Sequence, residues 1–195
     1  WDVHHGNGTQ AVFYREKRAL TISIHQDRNF PVDDGFLDQL GEDDAHGTNL
    51  NIPLPPGCGV DAYAAAFDRV VIPALEAFRP DFIVVPSGFD AGVMDPLGRM
   101  MLNSEGYRVL TRKLLALAEE LCGGRLVFTH EGGYSRWTVP LAGLAVMEVI
   151  SGRKTDIIDP YLEYHQALGG QELLPHQEAV IDTAAQNVQH VPLRD

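Results

Sequence analysis

Two residues at the start of this chain could ligate a metal ion. Asp2 and His4 stand two positions apart in the segment Trp1-Asp2-Val3-His4. Side chains of an extended backbone alternate between two faces, so a carboxylate and an imidazole at this spacing point in the same direction. Oxygen and nitrogen ligands of this kind suit zinc, and a catalytic zinc site needs a third protein ligand.

Two further polar clusters follow apolar segments that are typical of strands. Asp90 lies in Ser87-Gly88-Phe89-Asp90-Ala91, and Tyr134 ends Glu131-Gly132-Gly133-Tyr134. Ligands of open α/β sheets lie at the carboxyl ends of strands, and neighbouring glycines let the backbone approach a ligand closely. Asp90 could therefore complete a ligand set of two carboxylates and one imidazole. The Tyr134 hydroxyl could donate a hydrogen bond to a developing oxyanion.

Each of these residues also has an ordinary structural interpretation. Asp90 could cap a helix or shape a turn, and the Gly-Gly-Tyr segment could be a tight turn with a core tyrosine. An Asp-x-His pair alone is a weak signal. The metal hypothesis is favoured because the three clusters fall on successive strand ends.

The composition indicates a single α/β domain and excludes several classes of partner. The chain has 195 residues, of which 45% are hydrophobic, enough for one sizeable core. Its formal charge of −12 argues against direct nucleic-acid binding. Cys58 and Cys122 show no CxxC spacing, so no thiolate metal site or disulfide framework is indicated. No apolar run approaches the ~20 residues of a membrane span, so we expect a cytoplasmic protein without a membrane partner.

Hydrophobic periodicity predicts strands that alternate with helices. The predicted strands cover residues 19–25, 48–52, 82–86 and 126–129, and the predicted helices cover residues 60–78, 104–121 and 138–151. Pro73 is expected to kink or split the first helix, and Gly123-Gly124 to end the second. The segment 82–86 is apolar on both faces, which is typical of a buried parallel strand. This order of elements predicts an α/β fold with a central parallel sheet.

The pattern is weaker in the last part of the chain. We expect a core over residues 1–152 and a partly helical tail over residues 153–195. The tail contains several prolines and a Gly169-Gly170 pair. We predict that it packs on the body of the domain or on a partner.

Four motifs together resemble one enzyme family. In chain order they are Asp2-Val3-His4-His5-Gly6-Asn7-Gly8-Thr9, Pro86-Ser87-Gly88-Phe89-Asp90-Ala91, Asp95-Pro96-Leu97-Gly98 and Glu131-Gly132-Gly133-Tyr134. They are similar to motifs of the zinc-dependent histone deacetylase and acetylpolyamine amidohydrolase superfamily, in particular its class II members and their bacterial relatives. The resemblance implies the three-layer arginase–deacetylase fold with a central parallel sheet. This chain would hold the C-terminal part of a single deacetylase domain.

The resemblance also implies roles for individual residues. It makes Asp2, His4 and Asp90 the zinc ligands, and Tyr134 the tyrosine that hydrogen-bonds the scissile carbonyl. Three residues resemble those that line the acyl-lysine tunnel of the family: Phe30, Leu97 and Gly133. Four residues resemble a structural potassium site, through backbone carbonyls or side-chain oxygens: Asp2, His4, Ser23 and Ile24.

The implied reaction is zinc-dependent hydrolysis of an N-acetyl amide, such as acetyl-lysine or an acetylpolyamine. A zinc-activated water would attack the carbonyl, with Tyr134 stabilising the oxyanion. The attack also needs a general base, and the tandem histidines that serve the family in this role precede Asp2. His4 is committed to zinc. We therefore expect the base histidines to lie outside this chain, in an N-terminal half of the domain that completes the catalytic site.

Other functions remain open on the sequence alone. A non-catalytic binding or scaffold module could retain the metal pocket to hold acetylated ligands. An arginase-like dinuclear hydrolase would need a second metal, and Asp90-Ala91-Gly92 offers no adjacent carboxylate for it. The expected partners are an acetylated amine substrate, the N-terminal half of the domain and a second copy of the chain in a homo-oligomer.

Overall fold

The computed structural model describes residues 1–194 and shows an α/β fold with parallel strands. Strands β1 and β2 form one parallel pair, and β3 and β4 form another. Their bounds are Thr21–Gln26 for β1, Asn49–Leu54 for β2, Ile83–Ser87 for β3 and Leu126–His130 for β4. The four predicted strands are thus confirmed, with ends that differ by at most two residues.

Seven α-helices accompany the strands within residues 1–194. They are α1 Asn7–Phe13, α2 Val60–Ala66, α3 Ile72–Phe78, α4 Ser104–Cys122, α5 Val139–Ser151, α6 Leu162–Ala167 and α7 Pro175–Gln186. A π-helical turn over Phe67–Val71 joins α2 to α3. Pro73 is the second residue of α3 and directly follows the π-helical turn, so the predicted helix over residues 60–78 departs from regular α-helix next to this proline. In this part of the chain, no helix is both long and apolar enough to cross a membrane.

The first residues of the chain connect the two strand pairs. The indole of Trp1 donates to the hydroxyl of Ser87, the last residue of β3, at 2.9 Å. The carbonyl of Val3 accepts from the amide of Gln26, the last residue of β1, at 2.9 Å. Asp2 is therefore placed beside the carboxyl ends of both strands, where ligands of parallel sheets bind.

The hydrophobic core surrounds β2. All six residues of β2 are buried, and α7 packs against it. Helix α2 contacts α4 and α7, with Tyr63 and Leu110 fully buried between these layers. Burial of a large apolar side chain contributes about 1.5–3 kcal/mol, so this core holds the strands in place and with them the residues at their carboxyl ends.

Strand β3 differs from its prediction. We predict burial on both faces, yet the side chain of Val84 is 54% exposed, and its register partner Val127 on β4 is 44% exposed. Side chains of paired residues leave the same face of a parallel pair. The prediction is wrong for this face, because no element of residues 1–194 covers it. Ile83 and Val85, on the other face, are buried.

The tail contains α6, α7 and a 3-10 turn over Asn187–His190. Besides the packing of α7 on β2, the guanidinium of Arg69 binds the carboxylates of Glu178 at 2.9 Å and Asp182 at 2.6 Å. The body and the tail therefore touch through both apolar and charged groups. Residue 195 lies outside the described residues.

Candidate functional site

Three ligand-type side chains converge beside the carboxyl ends of β1 and β3. Asp90 follows β3, whereas Asp2 and His4 come from the segment before α1. This segment bends at Val3 and His4, so the extended backbone expected there is wrong. One ligand atom from each of the three lies within 4.8 Å of the others. His4 Nδ1 lies 3.0 Å from Asp2 Oδ1 and 3.1 Å from Asp90 Oδ2. This arrangement, called here the Asp2–His4–Asp90 cluster, can hold a metal ion.

Backbone amides fix the orientation of both carboxylates. The amide of Val3 donates to Asp90 Oδ1 at 2.7 Å, and the amide of Gly132 donates to Asp2 Oδ2 at 2.9 Å. The amide of His4 donates to Asp2 Oδ1 at 2.8 Å. Asp90 is fully buried, and its Oδ2 has no hydrogen-bond partner of acceptable geometry. A buried carboxylate oxygen without a donor is costly unless another group compensates it, and a metal ion would do so.

The charges in the cluster favour a cation. Burial alone would raise the pKa of Asp2, but hydrogen bonds from the His4 side chain, the His4 amide and the Gly132 amide lower this pKa to about 2. The hydrogen bond of His4 with Asp2, and the Asp90 carboxylate 3.1 Å from the same ring nitrogen, raise the pKa of its imidazole to about 10, although burial opposes the shift. Two carboxylates around one imidazole thus stabilise positive charge. A divalent cation satisfies the same preference, in exchange for the imidazole proton.

Two glycines leave the room that the carboxylates need. A Cβ on Gly88 would overlap Asp2 Oδ2, and a Cβ on Gly132 would overlap Asp90 Oδ2 and lie 2.7 Å from Asp2 Oδ2. Any side chain at either position would therefore push a carboxylate away from the cluster. The sequence motifs contain both glycines, but periodicity and spacing gave no sign of this contact.

Tyr134 lies on the loop after β4 and its side chain is 54% exposed. Burial and the nearby carboxylates of Asp90, Asp2 and Asp95 raise the pKa of its phenol above the ordinary value. The hydroxyl is therefore protonated at neutral pH and can donate a hydrogen bond. The amide of Tyr134 is itself held, because it donates to Asp95 Oδ2 at 2.7 Å.

Two exposed apolar side chains lie on loops that flank the cluster. The Phe30 ring is 67% exposed and meets the His4 imidazole edge to face, with 6.2 Å between ring centroids. Leu97 is 50% exposed, and its carbonyl accepts from the Asn29 side chain at 3.0 Å. This bond joins the loop that carries Phe30 to the loop that carries Leu97. Gly133 has a φ of 134°, a conformation that favours glycine, and lies against Phe89.

A buried polar network stands behind the cluster. The His5 ring is buried, and its Nε2 lies 3.1 Å from Gln10 Oε1 on α1. The same Gln10 oxygen accepts from the side-chain amides of Asn49 and Asn51, each at 2.8 Å, and Gln10 Nε2 donates to Asp34 at 3.1 Å. His5 thus faces away from the cluster, as its position next to a ligand predicts. Nothing in the sequence pattern identified Gln10.

The residues of the expected potassium site lie close to this network. The hydroxyl of Ser23 accepts from the amide of Gly6 at 3.2 Å and lies 3.0 Å from His25 Nδ1. Ile24 is buried in β1 between them. Potassium binding by Ser23 and Ile24, with Asp2 and His4, stays a prediction.

Comparison with known proteins gives one consistent family. The histone deacetylase domain family matches residues 1–150. A histone deacetylase-like amidohydrolase of Pseudomonas aeruginosa is 53% identical over 164 residues, which cover 84% of this chain and 43% of that protein. A probable deacetylase of Archaeoglobus fulgidus is 39% identical over 153 residues, covering 78% of this chain and 42% of that protein.

Solved structures give the same picture of the fold. The histone deacetylase Clr3 superposes with a TM-score of 0.83 at 30% identity, over 97% of this chain and 31% of that chain. The HD domain of HDA15 superposes with a TM-score of 0.74 at 33% identity, over 97% of this chain and 51% of that chain. The parallel α/β architecture is therefore one that solved proteins share. The chain spans less than half the length of the two curated relatives named above.

Proposed function

The chain belongs to the histone deacetylase family and has the arginase–deacetylase fold in part, and from this premise we propose that it carries the metal-binding part of a hydrolase site for N-acetylated amines. The observation that carries the proposal is the convergence of Asp2, His4 and the buried Asp90 on one point. The names of the relatives, deacetylase and amidohydrolase, support hydrolysis of acetylated amides as the reaction.

The cluster suits zinc in its choice of donors. Two carboxylates and one imidazole are three protein ligands, which leaves a coordination position for water or substrate as catalytic zinc sites require. Asp90 Oδ2, which lacks a hydrogen bond, and His4 Nδ1 face each other at 3.1 Å. When bound, zinc would supply Lewis acidity for the acyl carbonyl and for the attacking water.

Tyr134 is proposed to stabilise the oxyanion that forms on the acyl oxygen. Its raised pKa keeps the phenol protonated, so that the hydroxyl donates a hydrogen bond as negative charge develops. The exposed side chain is free to approach a substrate carbonyl beside the cluster. A phenylalanine at this position would keep the ring and lose only the donor.

The general base is proposed to come from outside this chain. His4 belongs to the cluster, and the ring of His5 is turned toward Gln10. A base must reach the proton of the attacking water within hydrogen-bond distance, and neither imidazole is free to do so. The longer relatives leave ample sequence to supply such groups.

The proposed substrate is a linear acylated amine, with acetyl-lysine and acetylpolyamine as the two candidates. Phe30 stands edge-on to His4, and Leu97 stands on the neighbouring loop. Apolar side chains on both sides of the cluster suit the methylene chain that precedes an acetylated amine, while the Asp2–His4–Asp90 cluster would bind the amide group through its metal ion. Gly133 would let the chain pass close to the backbone.

The test uses the intact natural protein that contains this chain, with zinc content and hydrolysis of an acetyl-lysine peptide and an acetylated polyamine measured in parallel. Asp90→Asn should lose bound zinc and hydrolysis together. Tyr134→Phe should retain zinc and lower kcat about 10²–10³-fold, the effect of losing one oxyanion donor. Asp44→Asn, at a side chain that is 92% exposed, is the matched control and should change neither.

Two results would overturn the proposal. Full zinc content in Asp90→Asn would exclude this residue as a ligand. A wild-type protein that binds zinc and acetyl-lysine peptide without turnover would favour the binding or scaffold module instead.

A further inference from the structure

Asp95 is a buried carboxylate that lies outside the Asp2–His4–Asp90 cluster and that the proposed reaction does not use. Only 6% of the residue is exposed. Its Oδ1 accepts from the amide of Leu97 at 2.9 Å. Its Oδ2 accepts from the amides of Tyr134 at 2.7 Å and Ser135 at 3.2 Å. One side chain thus holds backbone donors of two different loops.

The first of these bonds is local, but the other two cross the site. A bond from Asp95 to Leu97 only shapes a turn, as aspartates commonly do. The bonds to Tyr134 and Ser135 join residues about 40 positions apart in sequence, so they fix the loop after β4 against the loop after β3.

The loop that carries Tyr134 needs such a hold. Gly132 and Gly133 precede the tyrosine, and two successive glycines give the backbone more conformational freedom than any other pair. The amide of Gly132 donates to Asp2. The next bonds that hold the backbone are those from the amides of Tyr134 and Ser135 to Asp95. Without Asp95, the flexible backbone of Gly132 and Gly133 would let the position of the Tyr134 phenol vary.

We propose that Asp95 is a positioning residue that fixes the Tyr134 phenol at the cluster. Through the same carboxylate it also sets the distance between the loop of Tyr134 and the loop of Leu97. The inference rests on the proposed function of Tyr134 as oxyanion donor. The contribution of Tyr134 to turnover thus depends on the Asp95 carboxylate, which does not contact the substrate.

The test compares Asp95→Asn, Tyr134→Phe and the double variant in the intact natural protein. Asparagine keeps the size of the side chain but replaces one acceptor oxygen by a donor, so one of the two loops loses its partner. The measurements are kcat and KM on an acetyl-lysine peptide, and zinc content. Asp95→Asn should lower kcat at least tenfold, with KM and zinc content nearly unchanged. In the Tyr134→Phe background the same substitution should change kcat less than twofold, because residues that act as a unit are not additive.

Asp81→Asn makes the same chemical change at a side chain that is 88% exposed and should leave kcat unchanged in both backgrounds. If Asp95→Asn does not fold, Asp95→Glu takes its place, since it keeps both acceptor oxygens and displaces them by one methylene. It should lower kcat by a smaller factor with the same dependence on Tyr134.

Three results would overturn the inference. They are an unchanged kcat in a folded Asp95 variant, an equal loss of kcat with and without the Tyr134 hydroxyl, and a loss of zinc that places Asp95 with the cluster. A wild-type protein without zinc and without hydrolysis contradicts the proposed function itself. Hydrogen exchange then tests the positioning by Asp95 alone. The amides of Tyr134 and Ser135 should exchange faster in Asp95→Asn, and unchanged rates would exclude this role of Asp95.

Discussion

At the scale of single residues, the sequence identified the side chains that carry charge but not the small ones that make room for them. Asp2, His4 and Asp90 could be singled out because few residue types ligate metals and Asp90 follows a predicted strand, and the structure brings the three together. Gly132 could not be assigned its role. Its importance lies in an atom that it lacks, and only the folded chain shows what would occupy that space.

The contact at Gly132 predicts a loss of metal affinity without a loss of any ligand. In Gly132→Ala the new Cβ would overlap Asp90 Oδ2, so the carboxylates must move apart. We expect zinc affinity to fall about 10–100-fold, the range seen when groups that orient metal ligands are changed. The measurement is a zinc titration against a competing chelator.

The matched control for this substitution is Gly8→Ala on α1. A Cβ there meets nothing within 4 Å, so zinc affinity should remain that of the wild type. Equal affinities in Gly132→Ala and wild type would show that the carboxylates do not need the space that the glycine leaves.

At the scale of elements, helices and strands with apolar periodicity were predictable and α1 was not. Helix α4 shows the favourable case, since its buried leucines recur at helical spacing and Gly123 ends it in a left-handed conformation. Helix α1 has a single buried residue, Gln10, and no apolar stripe. Its place is fixed by hydrogen bonds to residues of β2, and sequence periodicity carries no information about such bonds.

The network around Gln10 predicts that α1 is held by one polar side chain. In Gln10→Leu, one amide hydrogen each of Asn49 and Asn51 would lose its buried acceptor. A buried donor left without a partner costs about 1–3 kcal/mol, so the loss of two should lower the free energy of unfolding by roughly 2–6 kcal/mol. Denaturant unfolding of the intact natural protein measures this.

A second substitution on the same helix separates the network from the helix itself. Val12 is 72% exposed, so Val12→Ala should change the free energy of unfolding by no more than about 0.5 kcal/mol. The interpretation fails if Gln10→Leu is as mild as Val12→Ala.

At the scale of the whole molecule, the order of strands and helices followed from the sequence, but the way in which the two strand pairs join did not. Val3 bonds to Gln26 of β1 and Trp1 to Ser87 of β3. These partners are far apart in sequence and carry no common pattern. The exposure of Val84 was not predicted for a related reason. An apolar sequence shows that a strand can be buried, but only the packing of the other elements shows which of its faces they cover.

The same join predicts that zinc stabilises the whole fold. Asp2 and His4 belong to the N-terminal segment, which lies between the two strand pairs in space, and Asp90 follows β3. A bound ion would therefore connect elements that are distant in sequence. Binding to the folded state alone adds about 2.7 kcal/mol when free zinc is 100 times its dissociation constant, which corresponds to a rise of several degrees in Tm. Thermal unfolding of the intact natural protein with zinc and with a chelator measures the difference. Asp90→Asn should abolish most of it, because the remaining two ligands both come from the segment between the strands. An equal rise in Asp90→Asn would mean that zinc stabilises the protein from some other place than this cluster.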